Sequence, residues 1–297
     1  MPTDEDFSGL RVIAVRYRGV KRVQGDERAL GAYAEADVYS SAGLPVEIYE
    51  PTFAEELASG VQADDLGLFN GTIADLVADG RRANQAILMT GGDCTHLTGV
   101  VGGLQQAHGA ATRIGLVFLD AHGDYNTPQT TISSSLGGMP VAVCAGLAYP
   151  RWRERAKILA PIPPDRIVMV GLRNLDPAES QLIHATGVTM ASVAPGFPGD
   201  PLAQAVEDLA ERCDLLYLHI DADVLDEAYV PDHGTKEPNG PSMEQVLDAV
   251  AVVMRTGKVK AYAIVSIYAG GPARAGNVTS GIELIQGGLM AWRSLEE

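Results

Sequence analysis

The sequence predicts one α/β domain over residues 1–297, a three-layer α/β/α sandwich around a mainly parallel sheet. Three observations predict it. Short apolar runs alternate with longer amphipathic stretches from one end to the other. The runs are β-branched and almost continuously apolar, as strands covered on both faces are. No low-complexity linker, fixed-period repeat or shift of composition divides the chain.

LRVIAVRY (10–17) reads as the first strand and PVEIYE (45–50) as the second, followed by a helix over 53–80. AILMT (86–90) is the third strand and leads into a helix over 96–108. IGLVFLD (114–120) and RIVMVGL (166–172) are the fourth and fifth, with helices expected over 178–186 and 201–212. LLYLHID (215–221) and VKAYAIVSIY (259–268) complete the sheet, with helices over 242–255 and 279–293. Hydrophobic residues make up 46% of the 297 and charged residues 20%, so a sizeable core forms and disorder, collagen and coiled coil are excluded.

Lys and Arg number 22 against 38 Asp and Glu, a net charge of −16. Such a surface repels phosphate backbones, which argues against nucleic acid as a partner. No apolar run reaches the roughly 18 residues of a membrane helix. The acidic, polar start MPTDEDFSG is unlike a signal peptide, so a soluble cytoplasmic protein with no membrane partner is expected. Three scattered cysteines cannot build a disulfide framework; Cys144 and Cys213 read as small core residues.

In open parallel sheets ligands bind beyond the carboxyl ends of the strands. Those ends carry Gly91-Gly92-Asp93-Cys94, Asp120-Ala121-His122-Gly123-Asp124, Gly171-Leu172-Arg173-Asn174 and Asp221-Ala222-Asp223. In an extended chain, residues two apart share a face, so Asp120, His122 and Asp124 converge on one point, and Asp221 and Asp223 do the same from another strand. Four carboxylates crowded into a partly buried cleft repel one another by several kcal/mol unless cations offset them. Two divalent ions would supply four positive charges. Carboxylate-rich ligation with one imidazole suits Mn²⁺ better than structural zinc, and paired ions imply hydrolysis by a bridging hydroxide.

The segments GGDCTH, VFLDAHGDYNTPQTTISSSLGGMP and LHIDADVLDEAYVP resemble, in order and spacing, the three motifs of the arginase/ureohydrolase superfamily (arginase, agmatinase and formimidoylglutamase among them). The resemblance runs over nearly the whole chain. It implies a three-layer α/β/α fold, two Mn²⁺ per chain and C–N hydrolysis of a guanidino or related group. It also implies a homo-oligomer, a trimer or hexamer. By the same resemblance Asp120 and Asp221 bridge both metals, His122 and Asp223 complete one ion, and Asp124 ligates the other while bonding the hydroxide. Asn126, Thr131 and Ser133 match positions that hold a substrate α-carboxylate, and Asp176 the residue that meets the α-amino group. Those matches imply a small amino-acid-like substrate. As plain residues, Asn126 and Ser133 also fit a loop turn, and Asp176 an N-cap before Pro177.

Three departures from the family pattern stand out. Cys94 occupies a position where the family usually has a histidine ligand; a thiolate there would shift preference toward Fe²⁺ or Zn²⁺, and a neutral thiol would weaken one metal site. His96 fits a helix-surface histidine better than a substitute. His219, two residues before Asp221, shares the aspartates' face and is expected to ligate or to position a carboxylate, unless it is a hydrogen-bonded core histidine. Gly137 stands where arginases carry a proton-shuttling histidine, which leaves Tyr125, His233 or water as donors. Ser266 stands where the family places its guanidinium-binding glutamate, which argues against arginine and toward hydroxyguanidino or formimino analogues. Glu283, the nearest downstream carboxylate, reads from its helical setting as solvated or packing. The competing readings are a non-catalytic scaffold or regulatory subunit on the same fold and, more remotely, a single-zinc deacetylase.

Overall fold

The computed structural model describes residues 7–293. Among the described residues ten strands occur in chain order: β1 Leu10–Val15, β2 Tyr17–Arg18, β3 Lys21–Arg22, β4 Val46–Tyr49, β5 Ala86–Gly91, β6 Ile114–Leu119, β7 Ile167–Val170, β8 Thr189–Ala191, β9 Leu215–Asp221 and β10 Val259–Val265. Between them run helices α1 Gln24–Glu35, α2 Gln62–Arg82, α3 Leu97–His108, α4 Pro140–Cys144, α5 Pro150–Arg155, α6 Pro177–Thr186, α7 Leu202–Arg212, α8 Met243–Met254 and α9 Arg274–Arg293. Eight of the strands form one sheet in the order β4-β1-β5-β10-β9-β6-β7-β8. Every pairing within it is parallel. β2 and β3 make a separate small hairpin.

The period of two along each strand sorts side chains onto two cores. Val12, Leu88, Leu119, Leu218 and Ile264 pack with α1, α7, α8 and α9 on one face. Ile13, Met89, Phe118, Tyr217 and Val265 pack with α2, α3, α4 and α5 on the other. Covering on both faces explains the unbroken apolarity of the central strands, and the expected three layers are present. Cys144 and Cys213 are buried and free, as expected of core residues.

The structure departs from the sequence reading at particular points. PVEIYE is not buried on both faces: β4 is an edge strand, and Val46 and Ile48 are 37% and 51% exposed. β8, three residues at the other edge, is too short to show a period. α1 was not expected. The helix expected from residue 53 starts at Gln62, because the Asp65 carboxylate accepts from the Ser59 and Gly60 amides at 2.6 and 3.1 Å and turns the chain there. The last helix starts earlier than expected, at Arg274. The run 259–268 leaves the sheet after Val265, since Ser266 has φ +66°.

Candidate metal centre

Four strands that neighbour one another in the sheet, β5, β10, β9 and β6, point their carboxyl ends at one cleft of about 530 Å³. Register levels those ends: Leu119 lies opposite Ile220, and Val265 opposite Asp221. Asp120, the next residue after β6, therefore stands beside Asp221.

At the end of β5 the chain turns at once. Gly91 and Gly92 have φ +81° and +74°, and a Cβ on Gly91 would lie 2.3 Å from the Val15 carbonyl oxygen, so only glycine fits. Asp93 then accepts from the Thr95 amide at 3.0 Å and caps the turn that holds Cys94. The Cys94 Sγ lies 2.9 Å from Asp221 Oδ2 and 3.6 Å from Asp120 Oδ2. Burial first, and then the charges of Asp221, Asp124 and Asp120, raise its pKa well above that of a free thiol. At β10's end the left-handed Ser266 donates from Oγ to the same Asp221 oxygen at 2.6 Å. Asp124, at φ +47°, is a second non-glycine residue in this strained region beside the cluster.

His122 sits on the opposite side. Its Nδ1 is 3.3 Å from Asp120 Oδ1 and 3.2 Å from Asp223 Oδ2, and its Nε2 is 3.4 Å from Glu237 Oε1. His233 enters from the loop after β9: Nε2 faces Asp221 Oδ1 at 3.3 Å and Nδ1 lies 3.7 Å from Asp223 Oδ2. Thr235 Oγ1 donates to Asp223 Oδ2 at 3.0 Å. Arg173 holds this loop by donating to the carbonyls of Asp223, Val224 and Leu225 at 2.7, 3.0 and 2.9 Å.

Three sets of donor atoms lie within 4.8 Å of one another: Cys94, Asp120 and Asp221; Asp120, His122 and Asp223; Asp221, Asp223 and His233. Asp124 lines the same cleft but falls outside these sets. Asp120 and Asp124 are pushed well above the carboxylate range by burial first and by neighbouring carboxylates next. Asp221 is held low: burial opposes its charge, but contacts from His233, Cys94 and Ser266 outweigh it. His122 is pushed up to about 12 despite burial, by its bonds to Asp120 and Asp223. His233 is raised too, against burial, by its close contact with Asp221 and by the charges of Asp221 and Asp223. The buried His233 Nε2, which has no hydrogen-bond partner, points into the cluster. Carboxylates, imidazoles and one sulfur at these spacings fit divalent transition-metal ions.

His219 falls outside the three donor sets. It shares the aspartates' face, as expected, but lies one strand period below, fully buried and stacked on Phe118. Its Nδ1 is 2.7 Å from the Tyr217 hydroxyl and its Nε2 3.4 Å from Cys94 Sγ, so it reaches the site only through the sulfur. Burial pushes it down to about 3, which keeps it neutral. His96 is not on a helix surface. It is fully buried against Phe69, with Nε2 3.0 Å from the Tyr17 carbonyl oxygen. Tyr125 is buried with its hydroxyl on Thr186, away from the cleft.

Asn126, Ser133 and Asp176 line the cleft mouth. Asn126 Nδ2 and the Ile132 amide both donate to Asp176 Oδ2, at 3.2 and 3.0 Å, while Asp176 also begins α6 as its N-cap. Thr131 is absent from the lining; its Oγ1 accepts from the Ser134 amide at 3.0 Å. Glu179, Thr235 and Glu237 had no sequence signal beyond their charge or hydroxyl. Glu179 is buried, accepts from the Tyr125 amide at 2.8 Å and steadies the loop that carries Asp124.

A parallel sheet with clustered carboxylates and imidazoles at adjacent strand ends defines an α/β protein with a candidate metal centre. The profile of the arginase family matches residues 20–269, and the chain belongs to that family of metal-dependent hydrolases. An arginase of Brevibacillus brevis is 27% identical over 235 residues, covering 78% of this chain and 75% of that one. The N(omega)-hydroxy-L-arginine amidinohydrolase of Streptomyces lavendulae is 38% identical over 116 residues, 39% of this chain and 38% of that one. In structure, the chain is similar to Entamoeba histolytica arginase in complex with L-ornithine, with TM-score 0.81, 22% identity and coverage of 97% of this chain and 99% of that one.

Proposed function

We propose that the chain is a binuclear, Mn²⁺-dependent hydrolase that cleaves a C–N bond in a guanidino, hydroxyguanidino or formimino group of an amino-acid-like substrate. The observation that carries this reading is the convergence of Asp120, His122, Asp221 and Asp223 at adjacent strand ends over one cleft. Asp120 and Asp221 would serve both ions, His122 and Asp223 would help to hold one, and Cys94 and Asp124 would face the other. When bound, such ions supply Lewis-acid chemistry, acidifying water and neutralising developing negative charge.

The protein's own side chains do the rest. Asp124 orients the attacking water and accepts its proton on the carboxylate, and the departing amine takes a proton from that carboxyl, from His233 or from water as the C–N bond breaks. Asn126, Ser133 and Asp176 at the mouth grip the amino-acid end and set the reacting carbon above the cluster. Ser266 leaves the floor without the carboxylate a guanidinium would need, and its hydroxyl is already given to Asp221. A less basic distal group suits that floor better than arginine does.

Metal analysis after reconstitution with Mn²⁺, followed by a guanidino and amidino substrate panel, tests the proposal. About two ions per chain and turnover of a less basic analogue ahead of arginine are expected. No bound metal, or arginine fastest by kcat/KM, would overturn the corresponding half. A second reading, a non-catalytic scaffold, is favoured by one observation: no imidazole stands at Gly137 and Tyr125 faces away, which leaves only His233 or water to protonate a leaving amine. Metal binding with no turnover across the panel would support it.

A further inference from the structure

His233 lies outside the strand-end segments that carry the family's metal donors. It is 8% exposed, and its Nε2 makes no hydrogen bond although Asp221 Oδ1 lies 3.3 Å away. That spacing has a simple meaning. Two donors about 2.1–2.2 Å from one first-row divalent ion, in neighbouring coordination positions, stand about 3.1 Å apart. His122 Nδ1 shows the same spacing to its two carboxylates, 3.3 and 3.2 Å.

We propose that His233 is a metal ligand: with Asp221 and Asp223 its Nε2 forms a third donor face, supplying the imidazole that the Cys94 strand end lacks. This rests on reading the chain as a metallohydrolase. The Asp221 carboxylate would then be used from both sides. Its Oδ2 meets the Cys94 Sγ and the Ser266 hydroxyl, and its Oδ1 meets His233.

The outer surroundings fit a ligating ring. Metal-bound histidines usually give their second ring N–H to an oxygen that fixes the tautomer. Thr235 Oγ1 is 3.3 Å from His233 Nδ1 and donates to Asp223 Oδ2, so a proton on Nδ1 would complete an imidazole–hydroxyl–carboxylate chain. The Thr235 amide is also 3.2 Å from Nδ1. If that amide bond is the one made, Nε2 keeps the proton and His233 merely hydrogen-bonds Asp221.

Mn²⁺ alone, added to the metal-free full chain, separates these. Pulsed electron spin resonance on the wild type, ¹⁵N-labelled at histidine, should show nitrogen from two directly bound imidazoles, His122 and His233. His233→Ala should show one, with Mn²⁺ affinity lowered at least tenfold. A wild type with one bound imidazole overturns the assignment and makes His233 a hydrogen-bond partner only, whether or not the variant folds. An unchanged signal and affinity in folded His233→Ala overturns it equally. A wild type that takes up no Mn²⁺ removes the metallohydrolase reading itself, a different failure from either of these.

Discussion

The two sides of the cluster are built on opposite plans. At the end of β6, His122 is partly open to the cleft and touches carboxylates on both ring edges, Asp120 and Asp223 at Nδ1 and Glu237 at Nε2. At the end of β5, Cys94 is buried and wedged between Asp221 and His219, which is itself held by Tyr217 and Phe118. One side is an array of hard and borderline donors with room to accept a cation. The other is a packed column, Tyr217–His219–Cys94–Asp221, in which an imidazole has moved back a layer from the cleft. Ligand identity and ligand position therefore change separately: each strand end has an imidazole near it, but of these two only His122 faces the cleft, and the imidazole that meets Asp221 is His233, which arrives from a loop.

Removing Asp120, which belongs to the donor sets of both sides, should have the largest effect. Asp120→Ala should lower Mn²⁺ affinity by more than about 100-fold, beyond the usual cost of losing an outer partner. Cys94→Ala should cost far less. Equal losses in a side-by-side titration would show that the β5 side carries as much of the metal as the β6 side, and the contrast would be gone.

Gly137→His comes next. A Cβ at Gly137 would meet only Ser135 Oγ, at 3.3 Å, so the cleft wall has room for a side chain. If protonation of the leaving amine limits turnover, the added imidazole should raise kcat by up to about 10²-fold, the lower end of general-acid contributions. A stable variant with unchanged kcat and an unchanged pH profile would show that another group already delivers that proton.

A smaller effect follows from the acidity of the cluster. Asp120 and Asp124 are raised, mainly by burial, so in the metal-free protein they hold protons that a cation must displace. Affinity should therefore climb as pH rises through their elevated pKa values and fall as pH drops. Binding should also release protons. Calorimetry in two buffers of different ionisation enthalpy reads that release; heats independent of buffer would mean the carboxylates are already ionised.

The sequence made the β6 side legible for a geometrical reason. Asp120, His122, Asp221 and Asp223 sit at or just past the ends of buried strands, where a period of two and the strand-end rule are enough to bring them together. His219 was legible only as to face. The same period puts it on the aspartates' side, but depth along the strand depends on the register of β9 with β6 and on the ring of Phe118, neither of which is local. His233 reaches Asp221 from a loop held by Arg173 through backbone carbonyls, a long-range arrangement with no spacing to read. The edge strand β4 is legible as a strand but not in its exposure, and β8 is not legible at all, because period and continuous apolarity both fail where one side of a strand faces water or only three residues pair.

The sharpest probe of the contrast is to move the imidazole forward again. Cys94→His should raise Mn²⁺ affinity by about tenfold, since imidazole suits that ion better than a thiol does. The site is tight, however: His219 Nε2 already lies 3.4 Å from the sulfur, and the larger ring must push into the column. Overpacking of that kind costs about 1–3 kcal/mol. His219→Ser alone should also destabilise, because it empties volume against Phe118 and leaves the Tyr217 hydroxyl without its nitrogen. The double variant should recover much of both losses, because the vacated space receives the new ring. A coupling of about 0.5–3 kcal/mol between the two changes is expected for residues in contact. Denaturation of the four proteins, with Mn²⁺ titration alongside, measures it. Strict additivity would mean that Cys94 and His219 vary independently and that the column is ordinary core. If instead Cys94→His left affinity unchanged while His219→Ala abolished metal binding, His219 would be the ligand and its distance from the cleft would close when the ion enters.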